Sequence, residues 1–261
     1  MNLPLVFDTL SGAMIGAVFG SFFSAAAWAY ITGAPFWRKR SVCDVCGEPI
    51  SPLGLFPIFG FIFLRGKCRV CDRPIPVFHF FMEILPAAVG AAVAWRYGAT
   101  VLALCLVVLA TALIAACAVD WITRVLPDAF TLGAYVLLPP VLLYTPSLTL
   151  RDSLLGFLVC GGLALTLKLT FKYIRKKDGL GLGDVKLFAL AGTFCGLSAA
   201  PCLFLLSACG GLFAFLFVAL SRKGNIWDFR LPFGPFIGAA WIALMIFPDL
   251  PLRLAILLYG V

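Results

Sequence analysis

Charged side chains are scarce in this sequence. Asp, Glu, Lys and Arg make up 12% of the residues, whereas hydrophobic residues make up 62%. Soluble globular domains carry about 25% charged residues, so the composition excludes that class. The hydrophobic runs are continuous and do not alternate with polar residues, which excludes a transmembrane barrel. A polytopic all-α membrane protein remains, in which each span needs roughly 20 apolar residues.

Histidine is almost absent, since His79 is the only one. A Ser-His-Asp or Cys-His arrangement needs an imidazole base, and His79 lies far from any obvious serine or cysteine partner, so we interpret it as a packing residue. The pattern H-E-x-x-H of a zinc protease is missing. The glycine-rich stretch at residues 179–184 also lacks dinucleotide or P-loop spacing. Carboxylates and thiols are therefore the remaining candidates for chemistry.

No basic segment precedes the first hydrophobic run, so we expect a retained span and not a cleaved signal. We predict about eight transmembrane helices, with one long polar insertion after the first. The predicted spans are residues 10–31, 76–95, 101–119, 129–144, 154–169, 185–197, 201–220 and 237–247. The predicted domains are a first helix (1–31), an insertion (32–75) and a membrane domain (76–261).

Basic residues are distributed unevenly among the predicted loops. If the chain starts outside, every Lys and Arg except Arg96, Arg151 and Arg253 falls on or near the inside face. Cytoplasmic loops of membrane proteins carry such an excess. The net charge of +8 therefore reflects orientation in a lipid bilayer, and we do not expect a nucleic-acid partner.

Ten cysteines are present, and four of them form a paired pattern. Cys43 and Cys46 give one CxxC, and Cys68 and Cys71 give a second, each flanked by Gly and Pro. Four thiolates at this spacing suit a closed, structural Zn²⁺ site. Two disulfides or plain thiols are the alternatives, and a reducing cytoplasm disfavours the disulfides. We predict a small cytoplasmic four-cysteine insertion that resembles a zinc knob.

Two carboxylates stand at the ends of hydrophobic runs, where a lone charge is costly. Asp120 closes the third predicted span, and Asp184 follows three glycines spaced two apart. Both fall on the predicted cytoplasmic side. Two carboxylates held close can share one proton, which leaves one as a base and the other as an acid. Alternatively, Asp184 is a helix N-cap and Asp120 a surface charge, and for Asp128 we favour the N-cap.

Five motifs in order resemble those of the prepilin peptidases, or type IV leader peptidases, over nearly the whole chain. The matching segments are residues 20–23 (Gly-Ser-Phe-Phe), 43–71 (the paired CxxC), 120–128 (Asp120 to Leu-Pro-Asp), 181–186 (G-x-G-D, then Lys186) and 232–235 (Pro-Phe-Gly-Pro). Each motif is weak alone, but the ordered combination is highly specific.

The resemblance implies an aspartic endopeptidase of a bacterial inner membrane that serves type IV pili or type II secretion. Asp120 and Asp184 would be catalytic. The supporting residues would be Gly181, Gly183, Asp128 and Lys186. The substrates would be prepilins or pseudopilins, cut at the cytoplasmic face after the Gly that ends a basic leader and before a hydrophobic helix that begins with Phe.

The resemblance also implies a second activity, methylation of the new N-terminal amine with S-adenosylmethionine as donor. Glu83 is a candidate for that site, with a hydrogen-bonded structural carboxylate as an equal alternative. Ser24 stands where the family usually has Asn, and Phe78 and His79 occupy the segment where it has Tyr-Pro before the glutamate. These departures lie in the parts linked to methyl transfer and leave the aspartates untouched.

Three other interpretations remain. A transporter could use intramembrane carboxylates to carry ions or protons, but it would place them near the bilayer midplane. A presenilin-like protease shares the G-x-G-D motif, yet the four-cysteine insertion and the Pro-Phe-Gly-Pro segment do not belong to that pattern. A structural membrane scaffold would explain neither the glycine-aspartate turn nor the charge distribution.

Overall fold

Helices dominate the computed structural model, which describes residues 3–34, 42–176, 179–221 and 231–259. Within these residues the α-helices are α1 (Leu3–Thr32), α2 (Phe59–Phe63), α3 (Val77–Tyr97), α4 (Val101–Thr123), α5 (Asp128–Gly133), α6 (Leu138–Tyr144), α7 (Leu150–Arg175), α8 (Leu182–Cys195), α9 (Ala200–Ser221), α10 (Gly234–Ile246) and α11 (Leu250–Tyr259). Short 3-10 helices cover Pro52–Leu55, Ala134–Leu137 and Leu197–Ala199. The all-helical prediction therefore holds for the described residues.

Five helical segments of the described chain are long and apolar enough to cross a membrane. They are Leu3–Thr32, Val77–Tyr97, Val101–Thr123, Leu150–Arg175 and Leu197–Ser221. The prediction of about eight spans is not confirmed. Helix α8 has 14 residues and helix α10 has 13. At about 1.5 Å per residue, each measures about 20 Å, against roughly 30 Å of hydrocarbon.

The fourth predicted span, residues 129–144, is divided into α5, a 3-10 turn and α6. Pro139 and Pro140 stand at the start of α6 and lack the backbone N–H that a continuous α-helix requires. The helix is already interrupted one turn before these prolines, by the 3-10 turn at Ala134–Leu137.

The chain forms two compact units, Met1–Ala115 and Ala116–Val261. In the first unit, α1 packs on α3 through its glycines. A methyl group placed on Gly16 would lie 2.1 Å from the carbonyl oxygen of Pro86, and one on Gly12 would lie 2.4 Å from that of Gly90. Backbone therefore meets backbone, as small residues at every fourth position predict.

In the second unit, α8 packs against α7, α9 and α10. Gly156 of α7 and Gly192 of α8 face each other so closely that a methyl group on either would lie within 2.3 Å of the other's carbonyl oxygen. On the far side, the rings of Phe188 and Phe204 stack with centroids 4.4 Å apart. This packing fixes the middle of α8, whose first turn carries Asp184 of the glycine-aspartate motif.

Gly16→Ala is expected to destabilise the protein, because the added methyl group collides with the Pro86 carbonyl and overpacking costs about 1–3 kcal/mol. The matched control is Gly162→Ala on α7, where nothing lies within 4 Å of the new methyl group. That change should leave or slightly raise stability, since Ala favours a helix by about 1 kcal/mol over Gly. Thermal unfolding in detergent measures both, and equal melting temperatures would contradict the packing interpretation.

Candidate active site

Asp184 lies in the first turn of α8, whose N-cap is Gly181. Its Oδ2 accepts a hydrogen bond from the Gly181 backbone N–H at 3.1 Å. This is half of a capping box, in which an acidic side chain at the third helical position binds back to the N-cap. Asp184 is therefore not itself the N-cap. The residue is 9% exposed, and its carboxyl group lies at the helix end where a negative charge is favoured.

Asp120 lies in the last turn of α4 and is 6% exposed. Its Oδ2 is buried and accepts no hydrogen bond of normal geometry among the described residues, although the backbone N–H of Gly234 interacts with the carboxyl group. The backbone of Gly234, the first residue of α10, lies against this oxygen, and a methyl group on Gly234 would lie 2.6 Å from it. A buried carboxylate oxygen without a well-formed hydrogen bond is costly, and such atoms mark sites for water or a ligand.

Both aspartates line one pocket of about 340 Å³ within the second unit. Its lining residues are Asp120, Arg124, Val125, Leu126, Asp128, Gly181, Leu182, Gly183, Asp184 and Lys186. The structure thus brings together all six residues that the sequence predicted as catalytic or supporting. Val125 and Leu182 are 51% and 60% exposed. The exposed part of the lining therefore combines these apolar side chains with the charged Arg124, Asp128 and Lys186.

The pocket shifts the titration of Asp184, whose helix α8 is not among the candidate spans. Burial and then the neighbouring Asp120 carboxylate raise the pKa of Asp184 to about 6, against the opposing hydrogen bond from Gly181. A carboxyl group with this pKa is half protonated at about pH 6, where an ordinary aspartate is almost fully ionised. The pair can therefore hold one proton between them, as two adjacent carboxylates do when both cannot ionise.

Asp128 corrects one prediction. It was expected to cap the helix that follows, but Pro127 is the N-cap of α5 and no side chain caps that end. Instead, Asp128 Oδ1 accepts a hydrogen bond from Lys186 Nζ at 2.7 Å, as an ion pair across the pocket. The pair joins the start of α5 to the first turn of α8.

Sequence reasoning missed two neighbours of the aspartates. Leu126 lines the pocket, and a methyl group on Gly183 would lie 2.8 Å from its Cβ. Gly234 adjoins Asp120, yet it entered the sequence argument only as part of the Pro-Phe-Gly-Pro motif. A glycine directly after a Pro-Phe pair was the available signal, because it marks a point of close backbone approach.

The four paired cysteines lie together in the first unit, with all four sulfur atoms within 4.8 Å of one another. Each CxxC forms the same turn. Cys43 N–H donates to Glu48 O, and Cys68 N–H donates to Arg73 O, both at 2.9 Å. An isolated β-bridge also closes each turn, Val42 to Pro49 in the first and Lys67 to Pro74 in the second.

The sulfur positions fit a tetrahedral metal ion. Cys43 Sγ lies 3.8 Å from Cys71 Sγ, and Cys46 Sγ lies 3.9 Å from Cys68 Sγ. A regular tetrahedron with Zn–S bonds of about 2.3 Å places its sulfurs about 3.8 Å apart. A disulfide would need about 2.05 Å, and all four cysteines are free. This cluster could therefore hold a metal ion.

Glu83 has a structural contact. Its Oε2 accepts a hydrogen bond from the backbone N–H of Ile58 at 2.7 Å. Ile58 precedes α2 with a φ of 65°, a left-handed conformation that is unusual for a β-branched residue. The carboxylate thus fastens the insertion to α3 at a strained position, which favours the structural alternative for this residue.

The two departures from the family pattern contact each other. Ser24 Oγ and His79 Nδ1 lie 2.7 Å apart in a hydrogen bond between α1 and α3. The rings of Trp28 and Phe78 pack against His79. His79 packs between the helices as predicted, but the expectation that it has no serine partner is wrong, because Ser24 is hydrogen-bonded to it. The residue does not belong to the cysteine cluster.

Comparisons with known proteins match both parts of the chain. The model of the bacterial peptidase A24 N-terminal domain matches residues 14–97, and the model of the type IV leader peptidase family matches residues 107–216. No solved structure matches the chain.

Three curated relatives are each named prepilin leader peptidase/N-methyltransferase. The protein of Pseudomonas putida is 35% identical over 207 residues, which are 78% of this chain and 71% of the relative. The protein of Burkholderia pseudomallei strain 1026b is 32% identical over 271 aligned residues, which cover 94% of this chain and 87% of the relative. The protein of Vibrio cholerae is 28% identical over 199 residues, which cover 76% of this chain and 78% of the relative.

Glu83→Ala is expected to destabilise the first unit by about 1–3 kcal/mol, because it leaves the Ile58 N–H without its partner. Hydrogen exchange at Ile58 should accelerate, while Glu83→Gln, which keeps an acceptor oxygen, should show a smaller effect. Glu48→Ala is the control, since that side chain is exposed. Unchanged exchange at Ile58 in Glu83→Ala would contradict the structural role.

Proposed function

Because the chain belongs to the type IV leader peptidase family, we propose that it is a membrane aspartic endopeptidase that cuts prepilins or pseudopilins after the Gly of a basic leader. The observation that carries this proposal is the shared pocket in which Asp120 and Asp184 are both buried. The exposed side chains of Val125 and Leu182 in the pocket lining offer apolar contacts to a substrate with a hydrophobic segment next to the cut.

The mechanism uses the shared proton. The ionised aspartate of the pair takes a proton from a water molecule, which attacks the carbonyl carbon of the scissile peptide. The protonated aspartate donates its proton to the carbonyl oxygen, and the pair later protonates the leaving amine. Asp184, with its pKa raised to about 6, is the member of the pair that holds the proton at mildly acidic pH. Gly181 orients this carboxyl group by donating its N–H to Asp184 Oδ2.

The location follows from the charge distribution. We place the chain in the bacterial inner membrane with its N-terminus outside, because this orientation puts nearly all Lys and Arg at the cytoplasmic face. Asp120 at the end of α4 and Asp184 at the start of α8 then lie at that face. A transporter has less support, since both carboxylates stand at helix ends and not in the middle of a long helix.

The relatives' second activity is proposed here as well: N-methylation of the new N-terminus, for which S-adenosylmethionine would supply the methyl group. Glu83 stays the candidate for this site, although its hydrogen bond to Ile58 supports the structural alternative. The cysteine cluster fits structural zinc by its sulfur spacing. Its closed set of four thiolates would stabilise the insertion and take no part in the reaction.

Asp120→Asn and Asp184→Asn are each expected to lower cleavage of a prepilin-type substrate by at least about 100-fold, since each removes one half of acid–base catalysis. Cleavage is measured in detergent or liposomes, with melting temperature as a check on folding. Asp152→Asn on α7 is the control, because Asp152 binds Thr149 near the helix start and lies outside the pocket. A folded Asp120 or Asp184 variant that cuts at nearly the wild-type rate would refute the catalytic pair.

Purified protein is expected to contain about one zinc ion per chain, held by four thiolates. Cys46→Ser and Cys68→Ser should each lower the zinc content measured by elemental analysis and the melting temperature of the protein. Cys209→Ser is the control, since this exposed cysteine lies on α9. Zinc content that stays the same in the two cluster variants would exclude the proposed ligands.

A further inference from the structure

Leu126 occupies a singular place in the pocket, because it touches the backbone beside both aspartates. A methyl group on Gly183, the residue before Asp184, would lie 2.8 Å from Leu126 Cβ. One on Gly234, whose backbone adjoins Asp120 Oδ2, would lie 3.4 Å from Leu126 Cδ1. The leucine side chain therefore lies between the two backbone segments that border the carboxyl groups.

Two residues further on, the same segment is fastened a second time. Asp128 Oδ1 accepts the hydrogen bond from Lys186 Nζ at 2.7 Å. Residues 126–128, the strap, are thus attached to the first turn of α8 by an apolar contact at one end and an ion pair at the other. Pro127 lies buried between them and restricts the backbone.

The strap contributes little to stability by itself. Lys186 and Asp128 have side chains 47% and 56% exposed, and an ion pair exposed to this extent adds little to folding. The position of the strap matters more than its contribution to stability, because it links the helices that carry the two aspartates. Asp120 stands at the end of α4 and Asp184 at the start of α8, and the strap is the chain segment that leaves α4 and then contacts α8.

We propose that Leu126 is a positioning residue, which sets the separation of Asp120 and Asp184 by packing against Gly183 and Gly234, and that the Asp128–Lys186 pair holds it there. This inference rests on the proposed peptidase function. A displacement of about 1 Å in a catalytic group can cost on the order of 100-fold in rate. Loosening the strap should therefore slow the chemical step more than it weakens substrate binding.

The test uses the full-length chain in detergent or liposomes with a prepilin-type substrate. Leu126→Ala is expected to lower kcat by about 10- to 100-fold with KM within about twofold of wild type. Leu126→Met, which keeps an apolar side chain of similar volume, should recover at least about tenfold of that loss. Leu132→Ala on α5, an exposed leucine outside the pocket, is the control and should leave both constants unchanged.

Reversing the charges of the Asp128–Lys186 pair tests this second attachment of the strap independently of Leu126. This experiment decides whether the strap positions the aspartates if Leu126→Ala does not fold. Asp128→Lys and Lys186→Asp each bring like charges together and should lower kcat. The double variant restores the pair with reversed sign and should exceed either single variant by about tenfold, as coupled residues do in a double-mutant cycle.

Three results would overturn the proposal: wild-type kcat in Leu126→Ala, a loss confined to KM, or a double reversal no better than the single changes. A loss in KM alone would mean that the strap binds substrate. If the wild-type protein cuts no prepilin at all, the proposed function fails instead, so the two failures are distinguishable.

Discussion

Two carboxyl groups share one buried pocket, and the rest of the second unit has to support that arrangement. Burial and the neighbouring Asp120 carboxylate both disfavour ionisation of Asp184. The backbone N–H of Gly181 relieves part of this cost at Asp184, whereas Asp120 Oδ2 accepts no hydrogen bond of normal geometry among the described residues. Asp184 therefore binds its proton at a higher pH than an ordinary aspartate, and acid–base hydrolysis of a peptide by two carboxyl groups needs one such proton.

Glycine makes the close approaches on which both units depend. In the first unit, Gly16 meets the backbone of Pro86, and in the second unit Gly156 meets that of Gly192. The pocket uses the same device at Gly183 and Gly234, where the close neighbours are a leucine side chain and a carboxylate oxygen. Helix packing and site geometry therefore share one requirement, the absence of a Cβ atom at a few positions.

The sequence predicted much of this arrangement. Hydrophobic runs located the helices, because a membrane span must be continuous and apolar. Positive charge placed Asp120 and Asp184 on one side, and CxxC spacing selected the four cysteines. Asp128 was misjudged because Lys186 lies 58 residues away, and a local capping rule cannot detect a tertiary partner. Leu126 was missed for the same reason, since its glycine neighbours come from α8 and α10.

The contacts between α1 and α3 affect how this chain could be recombined with its relatives. The Ser24–His79 hydrogen bond joins the two helices, and Gly12, Gly16 and Gly20 fit closely against the backbone of α3. A chimera in which only α1 or only α3 came from a relative would pair one helix of this protein with a helix of different sequence. A new side chain would then face His79 or collide with a backbone carbonyl group of α3. The two helices are therefore a single exchangeable module, although the whole four-cysteine insertion separates them in the sequence.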